Sequence, residues 1–478
     1  MKNIYTFKSV STIILLTLCL SCKEFIEIDP PINQVTKDKV YNDEKSAEAA
    51  VRGIYASMMA NTAFADGGAT SVTVLAGRSA DDFLNQSNNE QHKQFSDCTL
   101  NKDNSVVRIN LWQSIYKNIY YANSVLEGLA ASSGISESLK TQLSGEAKFI
   151  RAFCHFYLTN LFGEIPVILT TDYRINSIAF ASSKDQIYSQ IIKDLTEARE
   201  QLSDNYISSE RIRANKYAAT ALLSRIYLYK QDWKNAESMA TIVISNTTNY
   251  ELLNDLNSVF LKNSKEAILQ FVVPAIYSRN TQEGNVFILN SAPSPTTTPV
   301  TLSNELISAF DAGDKRLTNW VGKTSVGTSS WFFPFKYKIK TGNSPVNEYS
   351  MILRLSEQYL IRAEAKIQQG KTISGINDIN VLRTRARSLA TIEIPNPLPD
   401  LPTTLSEQEA LLAVEKERRI ELFSEWGHRW FDLKRTNRAD VVLTPVKGLN
   451  WQHTDILYPI PAIELLNAIN LNQNTGYQ

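Results

Sequence analysis

The sequence is poor in the residues that mark the easily recognised classes. Four Cys and four His in 478 residues are too few for a disulfide scaffold or a metallothionein-like chain. Charge of one sign is missing as well: forty-nine Lys+Arg balance forty-nine Asp+Glu, so no global field exists to gather nucleic acid or an anionic membrane. A mean hydropathy of −0.22 excludes a multi-span membrane protein. What is present is 43% hydrophobic residues, enough for a large core, in a length of roughly three domain-sized masses at about 150 residues each.

The N-terminus reads as an address. Lys2 and Lys8 precede an apolar stretch over 10–20, short of the roughly 20 residues that span a bilayer. It ends Leu20-Ser21-Cys22, which resembles the bacterial lipobox, with Cys19 where that box usually has Leu. Residues 1–21 are therefore expected to be a signal peptide and Cys22 the acylated first residue of the mature chain. That removal leaves 47 Lys+Arg against 49 Asp+Glu, still almost neutral. The formal C-x-x-C of Cys19 and Cys22 lies inside this processing segment and carries no redox reading. Cys98 and Cys154 remain; Cys154 sits in the apolar run 149–156, the setting of a buried, inert thiol. A disulfide between the two is left open.

Apolar residues recur at helical spacing over 109–129, 139–162, 187–202, 214–229 and 233–244, and again over 352–367, 376–389 and 406–434, which predicts helices. Gly163 and Pro166 mark the end of the second. The pairs beginning at Lys216 and Leu355 resemble tetratricopeptide units, in which small Ala positions let neighbouring helices approach and a short turn follows. Residues 271–350 lose the period and turn rich in Pro, Ser, Thr, Asn and aromatics. Strands are expected at 266–273 and 331–338, the second with Trp331, Phe333, Phe335 and Tyr337 on one face. The fold class is mainly α: a tetratricopeptide-like scaffold of helix pairs with a loop-rich insert and a few short strands. Beyond the signal, residues 22–260 and 261–478 are taken as the two regions.

Several segments agree with one family. The run 147–166, with Phe149, Arg151, Ala152, Phe162, Gly163 and Pro166, resembles F-x-R-A-x-x-Y-F-x-L-x-x-x-F-G-x-x-P of the SusD/RagB outer-membrane lipoproteins of Bacteroidetes. Residues 353–365, 380–386, 417–422 and 427–433 are similar to further stretches of that family, as are the closing Tyr458-Pro459-Ile460-Pro461 and Asn472–Tyr477, with Thr475 in place of Pro. The commoner spelling puts Glu directly before Gly427, whereas Trp426 intervenes here. The resemblance spans essentially the whole chain. It implies a lipid-anchored, surface-exposed outer-membrane protein, a SusC-like TonB-dependent transporter as partner, and an oligosaccharide or, as in RagB-like members, a peptide as ligand.

Chemistry has little foothold. The His residues 92, 155, 428 and 453 show no metal-ligand spacing, and no G-x-S-x-G elbow occurs. No catalytic residue, metal or cofactor is assigned, so a surface hydrolase is the weakest of the function classes. Glu417, Glu421 and Glu425, at four-residue spacing, are read as one helix face of structural ion pairs with Arg418 and Arg429 rather than a glycosidase pair. A sugar binder needs flat rings for the CH faces of pyranoses and amides or carboxylates for the hydroxyls. Two stretches supply them: 77–90, read as polar and non-helical, with Arg78, Asp81, Asp82 and Asn85; and 277–337, with Tyr277, Phe287, Trp320 and Trp331. Tyr277 and Trp331 are favoured among the rings as ligand contacts.

If Cys22 carries the anchor, Cys22→Ala moves the protein from the membrane to the soluble fraction on cell fractionation, because stable anchoring needs more than one acyl chain or a second signal. Unchanged membrane association would refute it.

Overall fold

The computed structural model describes residues 40–277, 279–342 and 345–477; the signal segment and Cys22 lie outside them. Thirteen helices of eight residues or more are described. They are α1 Glu44–Met58, α2 Val72–Ser79, α3 Glu90–Asp97, α4 Ser114–Ala131, α5 Glu137–Phe162, α6 Lys184–Gln201, α7 Lys216–Tyr229, α8 Trp233–Ile244, α9 Leu355–Ile367, α10 Thr372–Ala386, α11 Glu407–Leu422, α12 His428–Arg435 and α13 Ala439–Lys447. Their starts follow local chemistry: Ser183 and Ser406 form reciprocal capping boxes with Gln186 and Glu409, and Asn215 and Asp232 cap α7 and α8. α5 ends where Gly163 turns to φ 79°, a conformation open to glycine without strain.

From α4 to α9 each helix packs on the next, and α9 and α10 both pack on α11. α11 packs on α12 and α12 returns to α2. The resulting tetratricopeptide-like scaffold is tied at its junctions by buried arginine–carboxylate pairs. Arg151 joins α5 to Asp194 of α6 at 2.6 Å, Arg225 joins α7 to Glu357 of α9 at 2.6 Å, and Arg435 joins α12 to Glu364 of α9 at 2.5 Å. The main core draws residues from both sides of residue 260, among them Phe153, Tyr157, Ile268, Leu353 and Trp430.

α8 packs against α9 although about a hundred residues, 245–354, separate them. That stretch is an insertion with a closed neck. Strand β2 (Ala267–Phe271) leads out and pairs antiparallel with β6 (Ser350–Arg354), which leads back into α9. Beyond the neck, β3 (Val300–Leu302) pairs with β1 (Phe83–Asn85) beside α2, and β4 (Val321–Val326) forms a hairpin with β5 (Ser329–Pro334). A second core of Phe260, Phe310, Trp320, Tyr337 and Phe423 fills the space between insert and α11.

Four sequence expectations change. The helix over 406–434 is two helices, broken where Ser424, Trp426 and Gly427 take φ 55°, 50° and 69°. A side chain at Gly427 would meet the Ala76 methyl at 2.6 Å, so the break is where α12 approaches α2 most closely. The helix over 352–367 starts at Leu355, its predicted first turn being β6, because alternation inside a short buried strand mimics a helical apolar run. The first turns of the helix over 109–129 are π-helical, over Val107–Gln113. The strand 331–338 ends at Pro334, and its aromatic face divides: Phe333 and half-buried Trp331 and Phe335 form one small cluster, while Tyr337 enters the second core. Cys98 and Cys154 are both buried and free.

An ion network fastens the insert, and a buried acid pair lies beside it. The first centres on the buried Glu421 of α11, which accepts from Arg316 at 2.8 Å, Arg354 at 2.6 Å and Arg385 at 2.5 Å. Glu417 meets Arg316 at 2.6 Å, Glu425 meets Arg354 at 2.8 Å and Lys336 at 2.5 Å, and Glu266 meets Arg385 at 2.8 Å. The ion-pair role expected for this acidic face is thus what the structure contains, but with other partners. Arg418 turns to Asp432, and Arg429 to Asp81 and Glu415. Burial opposes ionisation of Glu421, yet the guanidiniums of Arg385, Arg354 and Arg316 hold its carboxyl well below the usual range.

The second is a buried acid pair. Glu283 of the insert and Asp66 of the loop after α1 lie on either side of Gly67, where a Cβ would fall 2.1 Å from the Glu283 carboxyl carbon. Ser350 donates to one Glu283 oxygen, and the other has no partner among the described residues. Burial pushes Glu283 up to about 8, and Asp66 up to about 7 against the backbone N–H groups of Gly68 and Thr62 and the charge of Arg279.

Glu421→Gln is expected to lower unfolding free energy by about 3–5 kcal/mol in denaturant titration, since removing one partner leaves buried arginine charge uncompensated; a change within about 0.5 kcal/mol would show the network to be dispensable. For Glu283 the folded chain holds its proton more tightly than the unfolded chain. Its contribution is therefore fully present below about pH 4.5 and is lost as pH rises through about 8. Thermal melts from pH 5 to 8.5 should decline with pH in wild type and decline less in Glu283→Gln; parallel curves would contradict this.

Candidate functional site

Within the insert, the segment 274–289 starts at Pro274, whose carbonyl accepts from the N–H of Tyr277 at 2.9 Å. That bond closes a short 3-10 turn over Ala275–Tyr277. The turn leaves Ile276 83% exposed and the Tyr277 ring half-buried. Arg279 folds back on it: its Nε donates to the Tyr277 carbonyl at 3.0 Å and its guanidinium lies 5.9 Å from the ring centre. The same guanidinium donates to Gln282, which donates to the exposed Asn61 at 2.7 Å. Asn280 fixes the segment against the returning strand, donating to the Gly342 carbonyl at 3.0 Å and accepting from the N–H of Asn347 at 2.7 Å.

The result is an open platform of a half-buried ring face, a guanidinium and the exposed amide of Asn61; Gln282 is buried, its amide spent on Arg279 and Asn61. The Tyr277 hydroxyl makes no hydrogen bond among the described residues. A flat ring beside planar hydrogen-bonding groups is the combination that takes a sugar ring on its CH face and its hydroxyls at the edge. Trp331 lies elsewhere on the insert, half-buried on β5 opposite Thr324 and packed with Ile288, Leu289, Phe333 and Phe335. Tyr277 and Trp331 thus flank the segment 277–289, with no ring contact between them among the described residues. Phe287 and Trp320 are buried in the second core.

The other expected stretch is built differently from its reading as a polar, non-helical loop. Gly77 and Arg78 belong to α2, and Asn89 caps α3. Arg78 is buried and donates to Asn85 and to the Pro299 carbonyl, tying α2 to the start of β3. Asp81 takes two bonds from Arg429, at 2.7 and 3.0 Å, and Asp82 takes one from Arg419 at 2.8 Å. Burial opposes it, but those guanidiniums keep Asp81 ionised below its ordinary range. Arg78, Asp81 and Asp82 are committed to protein partners and offer no free face to a ligand. Partly buried Asn85 is likewise occupied, by Arg78 and Ser87. The arginine partners of Asp81 and Asp82, 348 and 337 residues away, could not be seen in the local run. Conversely, Arg279, Gln282 and Asn61 were not singled out, although the polar run directly after Tyr277 was the available signal.

The segments that carried the family resemblance converge at the C-terminus. Asn474 donates to the carbonyls of Phe162 and Tyr458, both at 2.8 Å, and Tyr477 donates to that of Leu457 at 2.8 Å. Tyr458 donates its N–H to Leu161 at 2.8 Å. They form a latch for the tail rather than a reactive site.

Residues 24–228 match a family model described as "Starch-binding associating with outer membrane", and residues 320–477 match one described as "SusD family". Among curated relatives, a SusD-like protein of Formosa agariphila is 26% identical over 539 residues, covering 98% of each chain. The starch-binding protein SusD of Bacteroides thetaiotaomicron is 24% identical over 448 residues, covering 73% of this chain and 75% of that one. Among solved structures, a laminarin-binding SusD-like protein superposes with a TM-score of 0.74 at 23% identity, over 91% of this chain and all of the other. A surface glycan-binding protein of Bacteroides thetaiotaomicron gives 0.75 at 18% identity over 91% of this chain and all of that one. With both halves of its scaffold matched and its fold shared from end to end, the chain belongs to the SusD/RagB family.

Proposed function

We propose that the protein is a cell-surface lipoprotein that captures an oligosaccharide, without converting it, and delivers it to a SusC-like TonB-dependent transporter in the outer membrane. The observation that carries the ligand class is the Tyr277 platform, a half-buried ring with the Arg279 guanidinium beside it, linked through buried Gln282 to the exposed amide of Asn61. Relatives whose names record starch, laminarin or glycan binding support the same class. Cys22 supplies the anchor, in keeping with the outer-membrane association in the matched family description. No described helix is long and apolar enough to cross a membrane, so membrane residence rests on the lipid. A nearly neutral surface offers little electrostatic steering toward the transporter, which leaves shape and apolar area to hold the complex.

Calorimetry of wild type against neutral glycans and peptides should give heat with a glycan and no product after prolonged incubation. Tyr277→Ala should then weaken binding by roughly five- to 150-fold, taking about 1–3 kcal/mol per stacked ring from nucleobase stacking as a guide, with the melting temperature unchanged because the ring is half-exposed. Trp331→Ala is expected to lower the melting temperature as well, since it opens the small cluster on β5. Binding of peptides alone, or full glycan affinity in Tyr277→Ala, would overturn the ligand class or the site respectively. Detergent extraction and tag pull-down should recover a barrel protein with this chain; recovery of this chain alone would overturn the transporter partnership.

A further inference from the structure

A cleft of about 860 Å3 opens between α5, α7, α12 and residues 453–475. It shares no residue with the Tyr277 platform. Its charges are unequally matched. Arg435 is paired with Glu364 and Asp432, and His453 with Asp440. Lys434 and Lys184 also line the cleft, and neither makes an ion pair among the described residues. Lys434 donates to the Asn160 carbonyl; burial and the charge of Lys184 hold its ammonium down to about 7. The single acid of the lining, Glu164, is exposed. A cation held this way is stabilised by any anion that enters.

The neutral groups are amides. Gln231 and Asn437, set on turns at φ 58° and 56°, line the cleft together with Asn472. The side-chain amides of all three are without a hydrogen-bond partner among the described residues. Gln231, Arg435 and Asn437 also wall a second hollow of about 330 Å3. The two hollows therefore adjoin, giving length for more than one small ring.

We infer that this cleft is a second ligand site, for a sugar unit carrying an anionic group. Lys434 and Lys184 take the carboxylate or sulfate, and the amides of Gln231, Asn437 and Asn472 take ring hydroxyls. The inference rests on the glycan-binding reading above and extends it to acidic glycans.

The test is calorimetry on the mature protein at pH 6.5 and low salt with trigalacturonate, a sulfated galactan tetrasaccharide and neutral maltotriose. Trigalacturonate binding assigns a uronate, and binding of the sulfated tetrasaccharide assigns a sulfate ester. Either should weaken at least tenfold in Lys184→Gln and in Lys434→Gln. Lys184 is exposed on the rim, so its variant decides the matter if Lys434→Gln melts early. The inference is overturned if neither acidic oligomer binds better than maltotriose, or if both lysine variants bind as wild type. Neutral glycan that binds through Tyr277 while acidic oligomers do not would remove this site and leave the proposed function standing. A protein that binds no glycan of either kind would remove both.

Discussion

The structure depends on carboxylates and guanidiniums that have been taken out of water together. Glu421, Arg316, Arg354 and Arg385 are all buried, and each would carry a desolvation cost of several kcal/mol if left alone. They come from α11, the insert, the neck strand β6 and α10, so no two neighbouring elements satisfy the set. Only the assembled fold does. The same arrangement in smaller form recurs between α5 and α6, α7 and α9, and α9 and α12, where the arginine fork matches a carboxylate in plane and fixes orientation as well as distance.

That constraint explains how a loop-rich insert can present a defined surface. Residues 245–354 interrupt two helices that pack on each other, and the neck β2–β6 restores the scaffold as though the insert were absent. The insert is then pinned by the ion network on one side and by β1–β3 on another. A helical scaffold supplies rigidity, and the irregular segment supplies the half-buried Tyr277 ring and the Arg279 guanidinium. This division of labour is common where loops carry recognition on a fixed frame. The cleft beside α12 differs in origin, being made by helices and the docked tail, and its two lysines make no ion pair among the described residues.

The helices were legible because their apolar stripes recur over many turns, and the end at Gly163 because caps are local chemistry. The break in 406–434 was not legible. Trp426 turns there to place its ring against Phe153, at 5.2 Å, and its Nε1 on the Met351 carbonyl, at 2.8 Å. Nothing in the run of residues announces a left-handed turn dictated by partners on α5 and β6. Arg78, Asp81 and Asp82 were open to misreading for the same reason. A run of charged and amide groups looks solvated until Arg419 and Arg429 close over it.

The sequence by itself determined the helical scaffold, the presence of an irregular insert, and the family, because each is encoded by residues close together along the chain. Only the tertiary structure decided which charges are spent on one another and which remain for a ligand. Asp81 and Asp82 are consumed by Arg429 and Arg419, whereas the Tyr277 hydroxyl has no hydrogen-bond partner and Lys434 no ion pair among the described residues, although all four sit among polar neighbours in sequence. The reason is physical: the value of a charge or a ring depends on whether water still reaches it, and burial is set by elements hundreds of residues away.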